Sequence, residues 1–203
     1  MKKFYFAITV AAILWAVMFS PLTAPHLNFW AVMACSALIL ITLSVSMTPD
    51  FKKQWPLSFK EIFLGIASAA VLWGIFWTGD KLSSSLFSFA RPEVNLIYDM
   101  KSGHNTLVIG ILLLTIIGPA EEIFWRGFVQ RNFISKYGPI IAFFVTTLIY
   151  ALVHLWSFNF MLIAAAAVCG GFWGFMYTWR KNLTAVVVSH ALWDVAVFII
   201  FPI

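Results

Sequence analysis

The sequence predicts an all-α polytopic membrane bundle of about seven transmembrane helices. Of its 203 residues, 62% are hydrophobic and 10% are charged, whereas soluble domains are about half apolar and a quarter charged. Apolar runs long enough to cross a hydrocarbon core, which takes about 17–25 residues, recur along the chain. These runs are continuous and do not alternate with polar residues, which argues against a transmembrane β-barrel.

The predicted spans follow the order of the apolar runs. They cover about residues 4–20, 27–47, 61–78, 106–120, 138–155, 160–179 and 183–201. The first run follows two lysines, as in a signal peptide, but no small-residue cleavage site follows it, so we interpret it as an uncleaved span. We expect one integral-membrane domain over residues 1–203, with a motif-bearing core at about 106–201.

The basic residues indicate an orientation rather than a nucleic-acid surface. The net charge is +5, but the basic residues lie between the apolar runs and form no patch. One set of loops holds Lys2, Lys3, Lys52, Lys53, Lys60, Arg126, Arg131, Lys136, Arg180 and Lys181, and the other holds Lys81, Arg91 and Lys101. Because cytoplasmic loops are enriched in Lys and Arg, we expect a multi-pass protein of the cell membrane with a cytoplasmic amino terminus and no nucleic-acid partner.

The stretch GPAEEIFWRG, residues 118–127, places charge at the end of an apolar run. A charged side chain at the bilayer centre costs about 2.5–3.5 kcal/mol, so such residues indicate function. We expect the Gly-Pro pair at 118–119 to end or kink the fourth span and to start a new helix close to the glutamates. Glu122 and Arg126 are four residues apart, which predicts an ion pair, whereas Glu121 points about 100° away and stays free.

Two later spans add histidines. His154 lies in YALVHLW near the end of the fifth span, and His190 and Asp194 lie four residues apart in SHALWDV on the seventh. Any one of these side chains could simply bind a neighbouring helix. Together with the acids and the arginine of the fourth span, they form a polar group on three spans that packing alone does not require.

The sixth span carries small residues at every fourth position. These are Ala166, Gly170 and Gly174. Residues four apart share one face of a helix, and small side chains there let two helices approach closely. We therefore expect this face to pack against a neighbouring helix.

The polar residues resemble the motifs of a known family. The patterns E-E-x-x-x-R (Glu121, Glu122, Arg126), aromatic-x-x-x-His (Tyr150, His154) and His-x-x-x-Asp (His190, Asp194) are similar to the three motifs of the CPBP intramembrane protease family, also called the CAAX protease or Abi family. Its eukaryotic relatives process prenylated CAAX proteins. Its bacterial members are linked to bacteriocin maturation, self-immunity and peptide signalling.

The resemblance implies a role for each motif. Glu121 and His154 would activate a water for attack on a peptide carbonyl, and His190 and Asp194 would stabilise the oxyanion. Glu122 and Arg126 would support them.

The sequence departs from the family at two positions. Tyr150 stands where phenylalanine is usual, and Asp194 stands where asparagine is frequent. An ionised aspartate has no donor for an oxyanion. Asp194 would therefore be protonated, or would instead orient His190.

A metal centre is the alternative mechanism. Zinc could be held by Glu121, His154 and His190, with water in the open position. The sequence contains no H-E-x-x-H motif and no two histidines four residues apart on one helix. We favour metal-independent water activation.

The depth of the motif residues raises a conflict. With straight helices, Glu121 and His190 would lie near the cytoplasmic face and His154 nearer the outside. We therefore expect residues 119–136 to run obliquely within the membrane, with the fifth span starting at depth.

The leading functional hypothesis is an intramembrane endopeptidase in the lipid bilayer. It would act on a membrane-embedded or membrane-associated protein or peptide, in a water-filled cavity that opens toward the cytoplasm. The alternative is an inert membrane scaffold or bacteriocin-immunity-type factor that binds a peptide or protein through the same cavity, which Asp194 favours. A transporter with Glu and His as a proton relay is disfavoured because the sequence lacks inverted repeats.

Overall fold

The computed structural model describes residues 2–203, and the regular structure in that range is helical, without strands. The main helices are α1 (Lys2–Phe19), α2 (Phe29–Met47), α3 (Phe59–Leu86), α4 (Ala90–Asp99), α5 (Thr106–Tyr137), α6 (Pro139–Ser157), α7 (Phe160–Arg180) and α8 (Leu183–Ile200). Within residues 2–203, seven of these, all except the short helix α4, are long and apolar enough to cross a membrane. The predicted all-α polytopic bundle is confirmed.

Polar side chains at the helix starts explain where most spans begin. In each case a side-chain oxygen accepts a backbone N–H of the first turn, as an N-cap does. The caps are Asn28 for α2, Ser58 for α3, Asn105 for α5, Asn159 for α7 and Asn182 for α8. Helix α6 instead begins at Pro139, directly after Gly138, whose φ of 81° is a conformation that favours glycine.

Helix α5 runs through the Gly-Pro pair at 118–119 without a break, so the expected end of the fourth span near residue 120 is wrong. The chain adopts π-helical turns on both sides of the pair, over Leu113–Ile117 and Ile123–Gln130. A π turn shifts backbone bonds by one residue and accommodates a proline that lacks an N–H donor. Glu121 and Glu122 therefore lie in the middle of a helix, not at its amino terminus.

The long fourth span also resolves the conflict of depth. Residues 119–136 are helical rather than an ordinary loop, but they continue α5 instead of forming a separate oblique segment. At 1.5 Å per residue the 32 residues of α5 extend about 48 Å, more than the roughly 30 Å of a hydrocarbon core. Glu121 and His154 are almost equally far along the chain from the Gly138 turn, so α5 and α6 bring them to similar depth.

Helices α6 and α7 pack closely at the face that carries Gly170 and Gly174. A Cβ added to Gly170 would lie 3.1 Å from Cδ1 of Tyr150, and one added to Gly174 would lie 3.3 Å from Cδ2 of Phe143. The close approach predicted from the spacing of small residues is confirmed. It positions Tyr150 between α5 and α7.

The loops lie on two sides of the bundle. We call the side with residues 47–59, 137–139 and 180–183 the amino-terminal side, and the side with residues 19–29 and 86–106 the distal side. The predicted basic set lies on the amino-terminal side except for Arg126, which is only 1% exposed inside the bundle. Without Arg126, the amino-terminal side holds nine basic residues and the distal side holds three.

Candidate active site

A buried charged network lies between α5 and α8. The Oε1 atom of Glu122 accepts hydrogen bonds from Arg126 Nη1 at 2.7 Å and from His190 Nδ1 at 2.8 Å. All three side chains are buried, with at most 5% of each exposed. The ion pair predicted from the spacing of Glu122 and Arg126 is confirmed, and His190 joins it from the other helix.

The arginine is held on several sides. Arg126 Nη2 donates to the carbonyl oxygen of Gly170 at 3.2 Å. Its guanidinium carbon lies 4.9 Å from the ring centroid of Tyr150 and 5.7 Å from that of Trp173, within the range of cation–π attraction. Helices α5, α6 and α7 thus fix one buried cation through ionic, hydrogen-bond and aromatic contacts.

His190 lies between two carboxylates and against an indole. Its ring stacks on Trp173 at 3.7 Å between centroids and 17° between planes, and Trp173 Nε1 donates to Ser189 Oγ at 3.1 Å. The second ring nitrogen, Nε2, is 3.4 Å from Oδ2 of Asp194. Because carboxylates accept, and a neutral imidazole has one N–H, the doubly protonated ring is the form that satisfies both Glu122 and Asp194.

Glu121 faces away from this network. Its Oε2 accepts a hydrogen bond of 2.6 Å from the hydroxyl of Tyr150. Within residues 2–203, no donor is bonded to its other oxygen, Oε1. The prediction that Glu121 points away from the ion pair and stays free of it is confirmed, although Tyr150 holds one of its oxygens.

His154 lies near Glu121 but does not bind it directly. Its Nδ1 is 2.8 Å from the backbone oxygen of Tyr150, and its Nε2 is 3.1 Å from Nε1 of Trp15. Tyr150 links the two residues, because its backbone oxygen contacts His154 and its hydroxyl contacts Glu121. The structure therefore brings all predicted site residues into one region, in two separate sets of contacts.

A cavity of about 410 Å³ adjoins both sets. Glu121, Tyr150, His154, His190 and Asp194 form its polar end, and mainly apolar and aromatic side chains form the rest. Phe29, Tyr98 and Phe160 line it on the distal side. The cavity therefore adjoins the distal side of the bundle, and its opening toward the cytoplasm stays a prediction.

Helix α4 crosses the distal end of the cavity. Arg91 forms an ion pair with Asp80 of α3. Glu93 accepts a hydrogen bond of 2.9 Å from the backbone N–H of Met161, at the start of α7. Because α4 is tied to both helices, it bridges α3 and α7 over the cavity.

The donor atoms of the predicted zinc set do not fit a metal in this arrangement. Both nitrogens of His154 are engaged by Tyr150 and Trp15, and both nitrogens of His190 face carboxylates. A zinc ligand needs a free lone pair on an imidazole nitrogen. Over residues 2–203, no group of three His, Cys, Asp or Glu side chains has the geometry of a metal site.

The family comparison matches this region of the chain. Residues 103–196 match the family model described as type II CAAX prenyl endopeptidase Rce1-like. The match contains all three motifs and confirms the resemblance to the CPBP and CAAX proteases. It covers just under half of the chain and leaves α1, α2, α3 and α4 outside. No curated protein and no solved structure gives a significant match to the chain.

Sequence reasoning missed several contacts of the site, and two of them bear directly on Glu121 and His154. The hydroxyl of Tyr150 binds Glu121, and the only signal for it was a tyrosine where the family usually has phenylalanine. Trp15 binds His154 from α1, outside the Rce1-like segment. A tryptophan within an apolar span carries no sequence signal for such a contact, because it is equally suited to packing.

Proposed function

We propose that the protein is an intramembrane endopeptidase that hydrolyses a peptide bond of a membrane-embedded or membrane-associated protein or peptide. The observation that carries this proposal is the position of Glu121. It is a buried carboxylate, 6% exposed, which lines the cavity with one oxygen that has no donor. The adjacent Glu122 does not line the cavity: Arg126 and His190 engage its Oε1, and its Oε2 is fully buried without a partner within residues 2–203. The Rce1-like family supports an intramembrane protease.

Glu121 acts as the general base of this reaction. Its Oε1 takes a proton from a water while the water oxygen bonds to the carbonyl carbon of the substrate. The tetrahedral intermediate then expels the amine, and Glu121 returns the proton to the leaving nitrogen. The products are a new carboxyl terminus, which contains the water oxygen, and a new amino terminus.

His190 and Asp194 stabilise the oxyanion that forms in this step. The 3.4 Å between His190 Nε2 and Asp194 is longer than a charge-assisted hydrogen bond of about 2.7–2.9 Å. Asp194 therefore does not fully engage the Nε2 proton, which is available to the developing oxyanion, while Asp194 keeps the ring oriented and charged. Glu122 and Arg126 hold the other side of the ring. A fixed donor in a site of low dielectric has a large effect on such an intermediate.

The apolar lining of the cavity suits an apolar segment of the substrate. Ile75 of α3 and Val168 of α7 line it and are exposed, so we propose that the cavity is open to the bilayer between these two helices. A segment within the bilayer could therefore reach the polar end from the side, beneath α4. We further propose a cell-membrane location with the amino terminus in the cytoplasm, as the basic residues indicate.

An inert scaffold is the second candidate function. Asp194 in place of asparagine favours it, because an ionised aspartate donates no hydrogen bond to an oxyanion. The engaged nitrogens of His154 also favour it. A scaffold would bind its partner in the same cavity without cleaving it.

Protein termini in cell membranes distinguish the two. Amino and carboxyl termini are compared in membranes from cells that express wild type, Glu121→Gln or Asp99→Asn at matched levels. Asp99→Asn makes the same acid-to-amide change at an exposed site on α4. Termini present with wild type and Asp99→Asn, and absent with Glu121→Gln, support proteolysis and identify the substrate. Identical termini in all three, with the cell phenotype retained, contradict it and favour the scaffold.

A further inference from the structure

Trp15 reaches the site from α1, a helix that the family match does not include. Its side chain is 3% exposed, and its indole N–H donates to His154 Nε2 over 3.1 Å. The two rings meet edge to face, with centroids 5.9 Å apart and planes at 79°. The contact thus joins the first span to the second motif.

The two partners of His154 define the tautomer of its ring. The backbone oxygen of Tyr150 only accepts, so Nδ1 carries a hydrogen and donates to it. The indole of Trp15 only donates, so Nε2 carries the lone pair. These two assignments are consistent with one neutral imidazole, and neither partner suits the opposite tautomer.

This arrangement leaves His154 without a free acceptor. A neutral imidazole has one acceptor nitrogen, and here Trp15 occupies it. Phe19 also flanks the ring, at 5.6 Å between centroids. While the bond to Trp15 persists, His154 cannot take a proton from a water in the cavity.

The bond also stabilises the end of a helix on which Glu121 depends. His154 binds the backbone of Tyr150 where α6 passes from α-helix to the tighter turn at Val153–Ser157. The hydroxyl of the same Tyr150 holds Glu121 Oε2. A chain of hydrogen bonds therefore runs from Trp15 through His154 and Tyr150 to Glu121, and each residue donates to the next.

We propose that Trp15 is a positioning residue that fixes the tautomer of His154 and keeps its Nε2 from water, so that Glu121 alone accepts the proton of the attacking water. The catalytic part of this statement rests on the proposed function. The contact itself is testable without any protease activity.

The test uses diethyl pyrocarbonate, which acylates an imidazole nitrogen with a free lone pair. Membranes that contain the full chain as wild type, Trp15→Phe or Trp125→Phe are treated with the reagent. Mass spectrometry then measures the acylation of each histidine. Trp125 is the matched control: its ring is 6.0 Å from that of Trp15, it is fully buried, and its indole nitrogen has no hydrogen-bond partner within residues 2–203. His26 and His104, both exposed, are the internal references.

We expect His154 to react slowly in wild type and at the same rate in Trp125→Phe. In Trp15→Phe it should react about tenfold faster, the factor that corresponds to the loss of one hydrogen bond. An equal acceleration in both variants would show that lost volume, rather than a lost donor, exposes the ring, and would overturn the proposal. Wild-type His154 that reacts as fast as His26 would overturn it as well, even if Trp15→Phe does not accumulate. If the labelling follows the expectation while Glu121→Gln leaves all cellular termini unchanged, the contact stands and the proposed function fails.

Discussion

The two sides of helix α5 at the glutamates differ in how their polar atoms are used. On one side, Arg126 and His190 both bind Oε1 of Glu122, and all three side chains are almost completely buried. On the other side, Glu121 has a single donor, Tyr150, and adjoins a cavity of about 410 Å³. The two acids are neighbours in the sequence, but the rotation of about 100° per residue sends them to opposite surroundings.

This difference separates a supporting acid from a reactive one. A buried carboxylate is tolerable when an ion pair and hydrogen bonds compensate its charge, as for Glu122. Glu121 is compensated less, so it remains available to a water in the cavity. The side with Glu122, Arg126 and His190, which we call the closed side, therefore holds His190 in place. The side with Glu121 and the cavity, which we call the open side, carries out the chemistry.

The largest expected effect comes from changing each acid separately to its amide. Glu121→Gln should lower the cleavage rate by about 10²–10⁴-fold, the usual contribution of a general base. It should leave the melting temperature unchanged, since glutamine still accepts from Tyr150. Glu122→Gln should lower the melting temperature, because Arg126 and His190 lose their shared anion. Rates in vesicles and thermal unfolding in detergent measure the two effects, and a melting temperature that falls equally in both variants would contradict the distinction.

The next largest expected effect is on stability and comes from a substitution that disrupts the closed side alone. Arg126→Met should reduce the free energy of unfolding by about 3–5 kcal/mol, because it removes the ion-pair partner on the same helix and leaves a buried glutamate with His190 alone. Arg131→Met is the control on the same helix, where the arginine is half-buried and donates only to the backbone of Pro49. Its cost should stay below about 1.5 kcal/mol. Equal losses would show that the buried network has no special weight.

A smaller effect tests the packing behind Tyr150. Gly170→Ala places a Cβ 3.1 Å from the Tyr150 ring, which Glu121 and Arg126 hold from other directions. We expect an overpacking cost of about 1–3 kcal/mol and a lower cleavage rate. Gly171→Ala is the control, since its Cβ would meet nothing within 4 Å, and it should gain about 0.5–1 kcal/mol of helix stability. Melting temperatures that move in the same direction would argue against a tight contact at Gly170.

The smallest effect concerns the open side. Tyr150→Phe keeps the ring, which contacts Trp125 at 5.3 Å and Arg126 at 4.9 Å, and removes the hydroxyl. The loss of one hydrogen bond to Glu121 should lower kcat by about three- to tenfold with little change in KM. Steady-state kinetics in vesicles measure this split. An unchanged kcat would mean that the hydroxyl does not orient Glu121.

The sequence predicted most of the fold, because hydrocarbon length and composition define spans directly. The ion pair of Glu122 and Arg126 also followed from their spacing alone. The continuity of α5 did not, because proline is read as a helix breaker and π-helical turns, which accommodate it, have no sequence signature. The place of the cavity in the bundle did not follow from the sequence either, since it depends on how α4 crosses from α3 to α7.

The contacts of His154 show a second limit. Trp15 and His154 lie far apart in the chain, and a buried tryptophan in an apolar helix suggests only packing. The bond between them exists because α1 packs beside the end of α6. Only the tertiary structure shows that the neutral histidine has no free acceptor.

The most direct test of the central claim follows the oxygen of the attacking water. Purified wild type and Glu121→Gln are placed in lipid vesicles with a peptide that contains the cleaved sequence, in water enriched in heavy oxygen. We predict that wild type produces a new carboxyl terminus with one heavy oxygen and that Glu121→Gln produces almost none. Cleavage by Glu121→Gln at the wild-type rate, or a product without heavy oxygen, would contradict hydrolysis by a water that Glu121 activates.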